Sequence, residues 1–159
     1  MAPVSAEALL QKLVKLFCGR CERMGMKVTH RLVDVDQIVT DANLLFRVLV
    51  NLIANAMAAS QTGDEITVEC VRGGDSLRWA VLDRGTGVKD SEKSRIFEKY
   101  VTGRKRRFGE DAGGSGIGLA FCKLAVEAMG GKIRVEDRPG GGSAFRFDLP
   151  AAPAAVSRD

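Results

Sequence analysis

The stretch DANLLFRVLVNLIANAMAAS, residues 41–60, decides how the rest of the chain is read. Leu44, Leu45, Val48, Leu49, Leu52, Ile53 and Ala56 recur at three- and four-residue steps, a stripe wide enough for a helix that buries one face. Asp41 stands where a carboxylate can cap the first turn, and Thr62-Gly63 follows Ser60 as a stop. Two residues interrupt the apolar pattern. Asn51 and Asn55 are four apart and share one helix face, so two amides sit where burial demands hydrogen-bond partners.

Working outward, Leu10, Leu13, Val14, Phe17, Cys21 and Met24 mark a buried helix face over residues 5–24, with Gly25 as its stop. Residues 27–33 and 37–40 alternate β-branched and polar positions around Asp34-Val35-Asp36, which predicts two short strands. Downstream, residues 65–72 and 76–83 form strand-like runs joined by Gly73-Gly74-Asp75, a hairpin with Trp79 and Val81 on one face. Residues 84–114 then hold a single short helical stretch, 91–97, before a polar, basic, glycine-bearing segment too long for a routine connection. A helix over 117–129, stopped by Gly130-Gly131, leads into strands 132–137 and 143–149 around Pro139-Gly140-Gly141-Gly142. Residues 151–159 carry no pattern and are expected to be a disordered tail. This order predicts an α+β fold. Its form is a two-layer sandwich in one domain over residues 1–150, with three helices on one face of a mixed, mostly antiparallel sheet.

The chain has 159 residues, 45% hydrophobic and 28% charged, an ordinary composition for one domain. Lys and Arg outnumber Asp and Glu by 24 to 20; a net charge of +4 is too modest to argue for nucleic acid or a membrane surface. No apolar run approaches the roughly 20 residues a bilayer requires, and Met1-Ala2-Pro3-Val4 lacks the regions of a signal peptide. A cytoplasmic location and no direct membrane contact are expected. Four cysteines at irregular spacing exclude a disulfide scaffold, and Cys18 and Cys21 form a lone C-x-x-C with no second ligand pair. The 18 glycines cluster between residues 85 and 142, which suggests backbone placed close to a ligand.

Three segments carry chemistry. The Asn51 and Asn55 amides are either satisfied core groups, or Asn55 supplies an oxygen to Mg²⁺ while Asn51 points to phosphates. Asp83 ends a hydrophobic strand before Arg84-Gly85-Thr86-Gly87, so an acceptor for an exocyclic amine stands beside backbone that a ligand can approach; taken alone, the same residues also make an ordinary turn. Gly113-Gly114-Ser115-Gly116-Ile117-Gly118-Leu119 opens a helix, where free N–H groups and the helix dipole can meet an anion.

In this order and spacing the segments resemble the ATP-binding catalytic domain of bacterial sensor histidine kinases, in the GHKL superfamily with gyrase, heat-shock chaperone and mismatch-repair ATPases. Asn51-Leu52-Ile53-Ala54-Asn55-Ala56 looks like the N box and Asp83-Arg84-Gly85-Thr86-Gly87 like the first glycine box. Arg95-Ile96-Phe97-Glu98 looks like the F box, and Gly114-Ser115-Gly116-Ile117-Gly118-Leu119 like the second glycine box. Gly142-Ser143-Ala144-Phe145 with Leu149-Pro150 resembles the closing hairpin. The resemblance implies the Bergerat α/β sandwich with ATP between the N-box helix and a lid over about residues 100–113. Asp83 would accept from the adenine amine with Ser143 helping through a water, and Gly85 and Gly87 would line that pocket. Asn55 would hold Mg²⁺ and Asn51 would line the phosphate site. The backbone from Gly114 to Leu119, through Ser115, Gly116, Ile117 and Gly118, would cradle the phosphates. Arg104 and Lys105 in the lid would oppose their charge, and Phe97 would anchor one end of the lid.

Two positions depart from that pattern: Met57 and its neighbours stand where a lysine is frequent, and Lys99 where proline is frequent. Asn51 also separates two chemistries. Hydrolysing relatives place a Glu there to activate water, which an amide does not do, so transfer rather than hydrolysis is expected. The acceptor would be a histidine on a separate dimerisation domain, and a response regulator would stand downstream. His30, the one histidine of the chain, sits in a predicted strand without phosphoacceptor surroundings. The isolated domain is expected to be monomeric and unable to phosphorylate itself. The alternatives are a stand-alone serine kinase of the anti-sigma-factor type and a nucleotide-binding docking module without transfer.

Overall fold

Ser5 Oγ accepts the Ala8 N–H and Asp41 Oδ1 accepts the Leu44 N–H, both at 3.1 Å, and the two longest helices start at these caps. Each such cap contributes about 1 kcal/mol. The computed structural model describes residues 2–98 and 118–151. In chain order these form β1 (Pro3–Ser5), α1 (Ala6–Met24), β2 (Lys27–Val33), β3 (Gln37–Val39) and α2 (Ala42–Ala59). There follow β4 (Glu65–Gly73), β5 (Ser76–Leu82), a 3₁₀ turn (Asp90–Glu92), α3 (Gly118–Ala128), β6 (Lys132–Asp137) and β7 (Ser143–Pro150).

The main sheet runs β2-β4-β5-β7-β6, with β2 parallel to β4 and every other pair antiparallel. The alternation of each strand sorts its side chains onto two unlike faces. Ile66, Val68, Cys70, Trp79, Val81, Phe145 and Phe147 are all buried under the helices. Trp79 stacks on Phe147 with ring centroids 6.0 Å apart and planes 8° from parallel, which binds β5 to β7 through their side chains as well as their ladder. On the outer face, Ala80, Leu82 and Ala144 form a small apolar patch. Around it, Arg31 pairs with Glu69 at 2.9 Å, and Glu136 accepts from both Arg134 and Arg146. The Arg134 hydrogen bond is the largest influence holding the Glu136 carboxyl below its ordinary range.

Three helices on a mixed, mostly antiparallel sheet are the expected layers. With 18 residues and high hydropathy, α2 is long and apolar enough to span a membrane by length and composition alone. Here it is the core helix, lying against β4, β5 and α3.

Three details differ from the sequence reading, and a fourth, the place of His30, agrees with it. β1 was not foreseen; it pairs with β3 in a separate two-stranded ribbon, a contact bridging 34 residues that no local pattern encodes. The helical stretch expected at 91–97 is a 3₁₀ turn followed by further turns, because Ile96 and Phe97 must leave the helical path to enter the core. Ala151 is buried and its N–H donates to Asp75 O at 2.8 Å, so ordered packing extends one residue into the segment expected to be a tail. His30 lies on β2, with Nε2 3.0 Å from Glu7 Oε2 in the first turn of α1, and so ties that helix to the sheet edge. The expected lid, 100–113, and residues 152–159 lie outside the described residues.

Candidate functional site

The last residue of β5, Leu82, pairs with Ala144 near the start of β7, and the residues at this end of the two strands form a tightly bonded cluster. Asp83 follows β5 and is fully buried, as is Ser143 at the start of β7. The Asp83 N–H donates to Ser143 O at 2.9 Å, and the Ser143 N–H donates back to Asp83 Oδ1 at 3.2 Å. A second donor reaches the same oxygen: the Gly85 N–H, at 2.8 Å. Two N–H donors on one oxygen fix the direction of the carboxyl group. The Ser143 hydroxyl beside it is buried and has no hydrogen-bond partner among the described residues, an orphan that a ligand or a water would satisfy.

Two glycines make this cluster sterically accessible. At Gly85 a Cβ would overlap the carbonyl of Ala59, the last residue of α2, so only a bare backbone fits between that helix end and the strand. At Gly142 the backbone takes φ +100°, and a Cβ would overlap the Asp83 carbonyl. The loop after Asp83 is thus wedged between α2 and the β6–β7 turn. Gly87 closes the loop at φ +82°.

The other group of expected residues sits on α2. Asn51 and Asn55 are both half-buried on the same face, one turn apart. The Asn51 amide nitrogen donates to Arg47 O at 2.9 Å, one turn back on its own helix. Its oxygen faces the start of α3, where a Cβ added to Gly118 would lie 3.1 Å away. A side chain at 118 would therefore push against Asn51. Arg47 lies over the Phe121 ring of α3 at 4.5 Å from the centroid, and Cys122 Sγ reaches the Val48 carbonyl at 3.7 Å. Leu119 is half-buried and packs on the core.

Of the residues singled out in the sequence, the structure gathers Asp83, Gly85, Gly87 and Ser143 at the sheet end and places Asn51, Asn55, Gly118 and Leu119 at the α2–α3 contact. Arg104, Lys105, Gly114, Ser115, Gly116 and Ile117 lie outside the described residues. Phe97 is buried edge-on against Phe145, with centroids 6.1 Å apart and planes at 78°.

Sequence reasoning passed over two side chains near the site. Arg84 donates to the carbonyls of Pro139 and Gly141, and Lys93 bridges Asp90 to Asp137 at the end of β6. The hydrogen bond to Asp90 is the first cause of an ammonium pKa above its ordinary value. Neither residue carries a local signal, since an isolated cation in a loop is compatible with any solvated turn. Cys18 is exposed and Cys21 buried on α1, and among the described residues no group of three His, Cys, Asp or Glu stands close enough to hold a metal.

A model of histidine kinase-, DNA gyrase B- and HSP90-like ATPases matches residues 40–153, a span that holds both the buried carboxylate at the sheet end and the helix with the two amides. The chain belongs to this family. The sensor-like histidine kinase SenX3 of Mycobacterium tuberculosis (strain ATCC 25618 / H37Rv) is 38% identical to this HATPase_c domain over 123 residues, 77% of this chain and 30% of the relative. Full-length ShkA, solved in complex with AMPPNP, superposes with a TM-score of 0.83 at 30% identity over 98% of this chain and 32% of that one. Histidine kinase ThkA, solved with the response regulator TrrA, shares the fold at a TM-score of 0.79 and 23% identity, over 96% of this chain and 42% of that one. The domain therefore spans about 30% of the length of a curated relative such as SenX3, and the part it matches is the catalytic ATP-binding portion of a sensor histidine kinase.

Proposed function

We propose that this domain binds Mg-ATP and acts as the catalytic part of a two-component sensor histidine kinase in the cytoplasm. The γ-phosphoryl group would pass to a histidine on a separate dimerisation domain, and from there to a response regulator. The observation that carries the reading is Asp83: a fully buried carboxylate whose Oδ1 is held by the Gly85 and Ser143 N–H groups, with an orphan hydroxyl beside it. An exocyclic amine is a donor that suits a buried carboxylate and a neighbouring hydroxyl, and a base that carries an acceptor there instead would be disfavoured.

Asn55 is the residue for Mg²⁺. An amide oxygen suits a hard cation, and Mg²⁺ in nucleotide sites takes one or two protein oxygens and fills its shell from phosphate and water. Bound there, the ion neutralises charge on the phosphate oxygens. The chain's own residues position: Asp83 and Ser143 orient the base, and Asn51 lines the phosphate path from the neighbouring turn of α2. The backbone from Gly114 to Leu119 and the cations Arg104 and Lys105 complete the proposed phosphate contacts. Asn51 accepts no proton at neutral pH, so water beside it is not activated; an imidazole acceptor is already a nucleophile and needs only alignment.

Calorimetric titration of ADP and Mg-ATP into wild type and Asp83→Asn tests the reading. Wild type is expected to bind, and Asp83→Asn to weaken binding by about 30-fold or more, the worth of a buried hydrogen bond to a charged group. A folded wild-type domain that binds neither nucleotide would overturn it. Acid-labile phosphate on this chain incubated alone would overturn the separate acceptor.

A further inference from the structure

We propose that Arg84 is a positioning residue for base recognition, clamping the β6–β7 turn against the strand end so that Asp83 and Ser143 keep their direction. The proposal rests on the nucleotide reading above and adds a determinant of its specificity.

The turn that delivers Ser143 is intrinsically loose. Gly140, Gly141 and Gly142 follow one another at φ +87°, +111° and +100°, so its native shape is one of many that three bare residues can adopt. Two backbone bonds close it, Gly141 N–H to Arg138 O and Arg138 N–H to Gly142 O, both at 3.0 Å. Those bonds shape the turn but do not attach it to the loop that carries Asp83. Arg84 makes that attachment from the other side. One of its guanidinium nitrogens donates to Pro139 O at 2.8 Å and to Gly141 O at 3.3 Å, across 55 residues of chain. That nitrogen carries two N–H groups, one for each carbonyl, and the planar guanidinium fixes their directions.

The clamp acts on the carboxylate through Ser143. Any shift of the turn moves the Ser143 N–H, one of the two donors on Asp83 Oδ1, while Gly85, whose N–H is the other, is covalently next to Arg84. Arg84 itself is exposed where Asp83 is buried, so it reaches the base only through these neighbours. A second guanidinium, Arg138, stands nearby; partial burial first, and then the Arg84 charge, hold its pKa below the ordinary value. The charges of Asp83, Glu65 and Glu69 act on Arg138 in the opposite direction to that of Arg84.

The test compares ADP with IDP, whose base carries a carbonyl where adenine carries the amine. Calorimetry on wild type, Arg84→Ala, Arg84→Lys, Asp83→Asn and the Asp83→Asn/Arg84→Ala double variant gives the ADP-over-IDP preference of each. Arg84→Ala is expected to lower ADP affinity about fivefold with IDP little changed, the size of coupling seen between groups in one hydrogen-bond network. In the Asp83→Asn background the same change is expected to add nothing, and Arg84→Lys to restore part of the preference. An unchanged preference in Arg84→Ala, or equal losses for ADP and IDP, would overturn the clamp while leaving the nucleotide site standing. A wild-type domain with no preference for ADP would overturn the reading of Asp83 and the clamp with it. Because Arg84 is exposed, its variants are expected to stay folded, and circular dichroism checks that each does.

Discussion

Asp83 is held by segments far apart in the chain, whereas Asn51 and Asn55 are set one turn apart by a single helix. The carboxylate needs the end of β5, the Gly85 loop against Ala59 and the Ser143 N–H at the start of β7 to be in place together. The spacing of the two amides needs only α2, whose 3.6-residue period puts them one turn apart on one face. The base end of the site is therefore as cooperative as the whole sheet, and the amide end is as local as a helix turn. Changes at the first should disturb the fold and binding together. Changes at the second should disturb binding alone.

Gly142→Ala is expected to break the base end outright. The residue combines φ +100° with a position where a Cβ overlaps the Asp83 carbonyl, so turn and strand end must part. Urea unfolding should show a loss of about 3 kcal/mol or more, with ADP binding lost in parallel. Unchanged stability would mean that the turn yields freely and that the two ends are built alike.

A milder effect is expected from Asn55→Ala at the other end. Its urea midpoint should move by no more than about 1 kcal/mol allows, since a half-buried position inside a helix accepts alanine readily. ADP affinity without Mg²⁺ should be unchanged, while the gain on adding Mg²⁺ should disappear. Equal ADP and Mg-ADP losses would assign Asn55 to the fold rather than to the ion.

The smallest expected effect sharpens the contrast between the sheet and the helix pair without any substitution. Burial pushes the thiols of Cys70 on β4 and Cys122 on α3 up to about 12, whereas Cys18 is exposed. At pH 8 a thiol reagent should modify Cys18 first, and Cys70 and Cys122 only at the rate of global unfolding, since the reactive species is the thiolate. Cys122 labelling ahead of Cys70 would show that α3 separates from α2 while the sheet stays intact.

How much of this was legible in the chain follows from the range of the interactions. α1 and α2 were readable to within a residue or two because their signals lie within the segment itself: the face from Leu10 to Met24 with its Gly25 stop, and the Asp41 cap with the stripe from Leu44 to Ala56. The β4–β5 hairpin was readable because its turn residues lie between its strands. β1 was not, since three residues become a strand only when β3 is beside them. The turns at 91–97 were misread for a related reason: the pull of Ile96 and Phe97 into the core outweighs a helix too short to nucleate.

The sequence by itself determined the two long helices, the hairpins, the glycine-lined ends and the identities of Asn51, Asn55, Asp83 and Ser143, because spacing and residue type decide them before any long-range contact forms. Only the tertiary structure decided that Asp83 and Ser143 meet and share two hydrogen bonds across 60 residues, that Gly85 is pressed on Ala59, and that Arg84 reaches Pro139 and Gly141. These are properties of strand register and of which loops the register brings together, and no local segment carries that information.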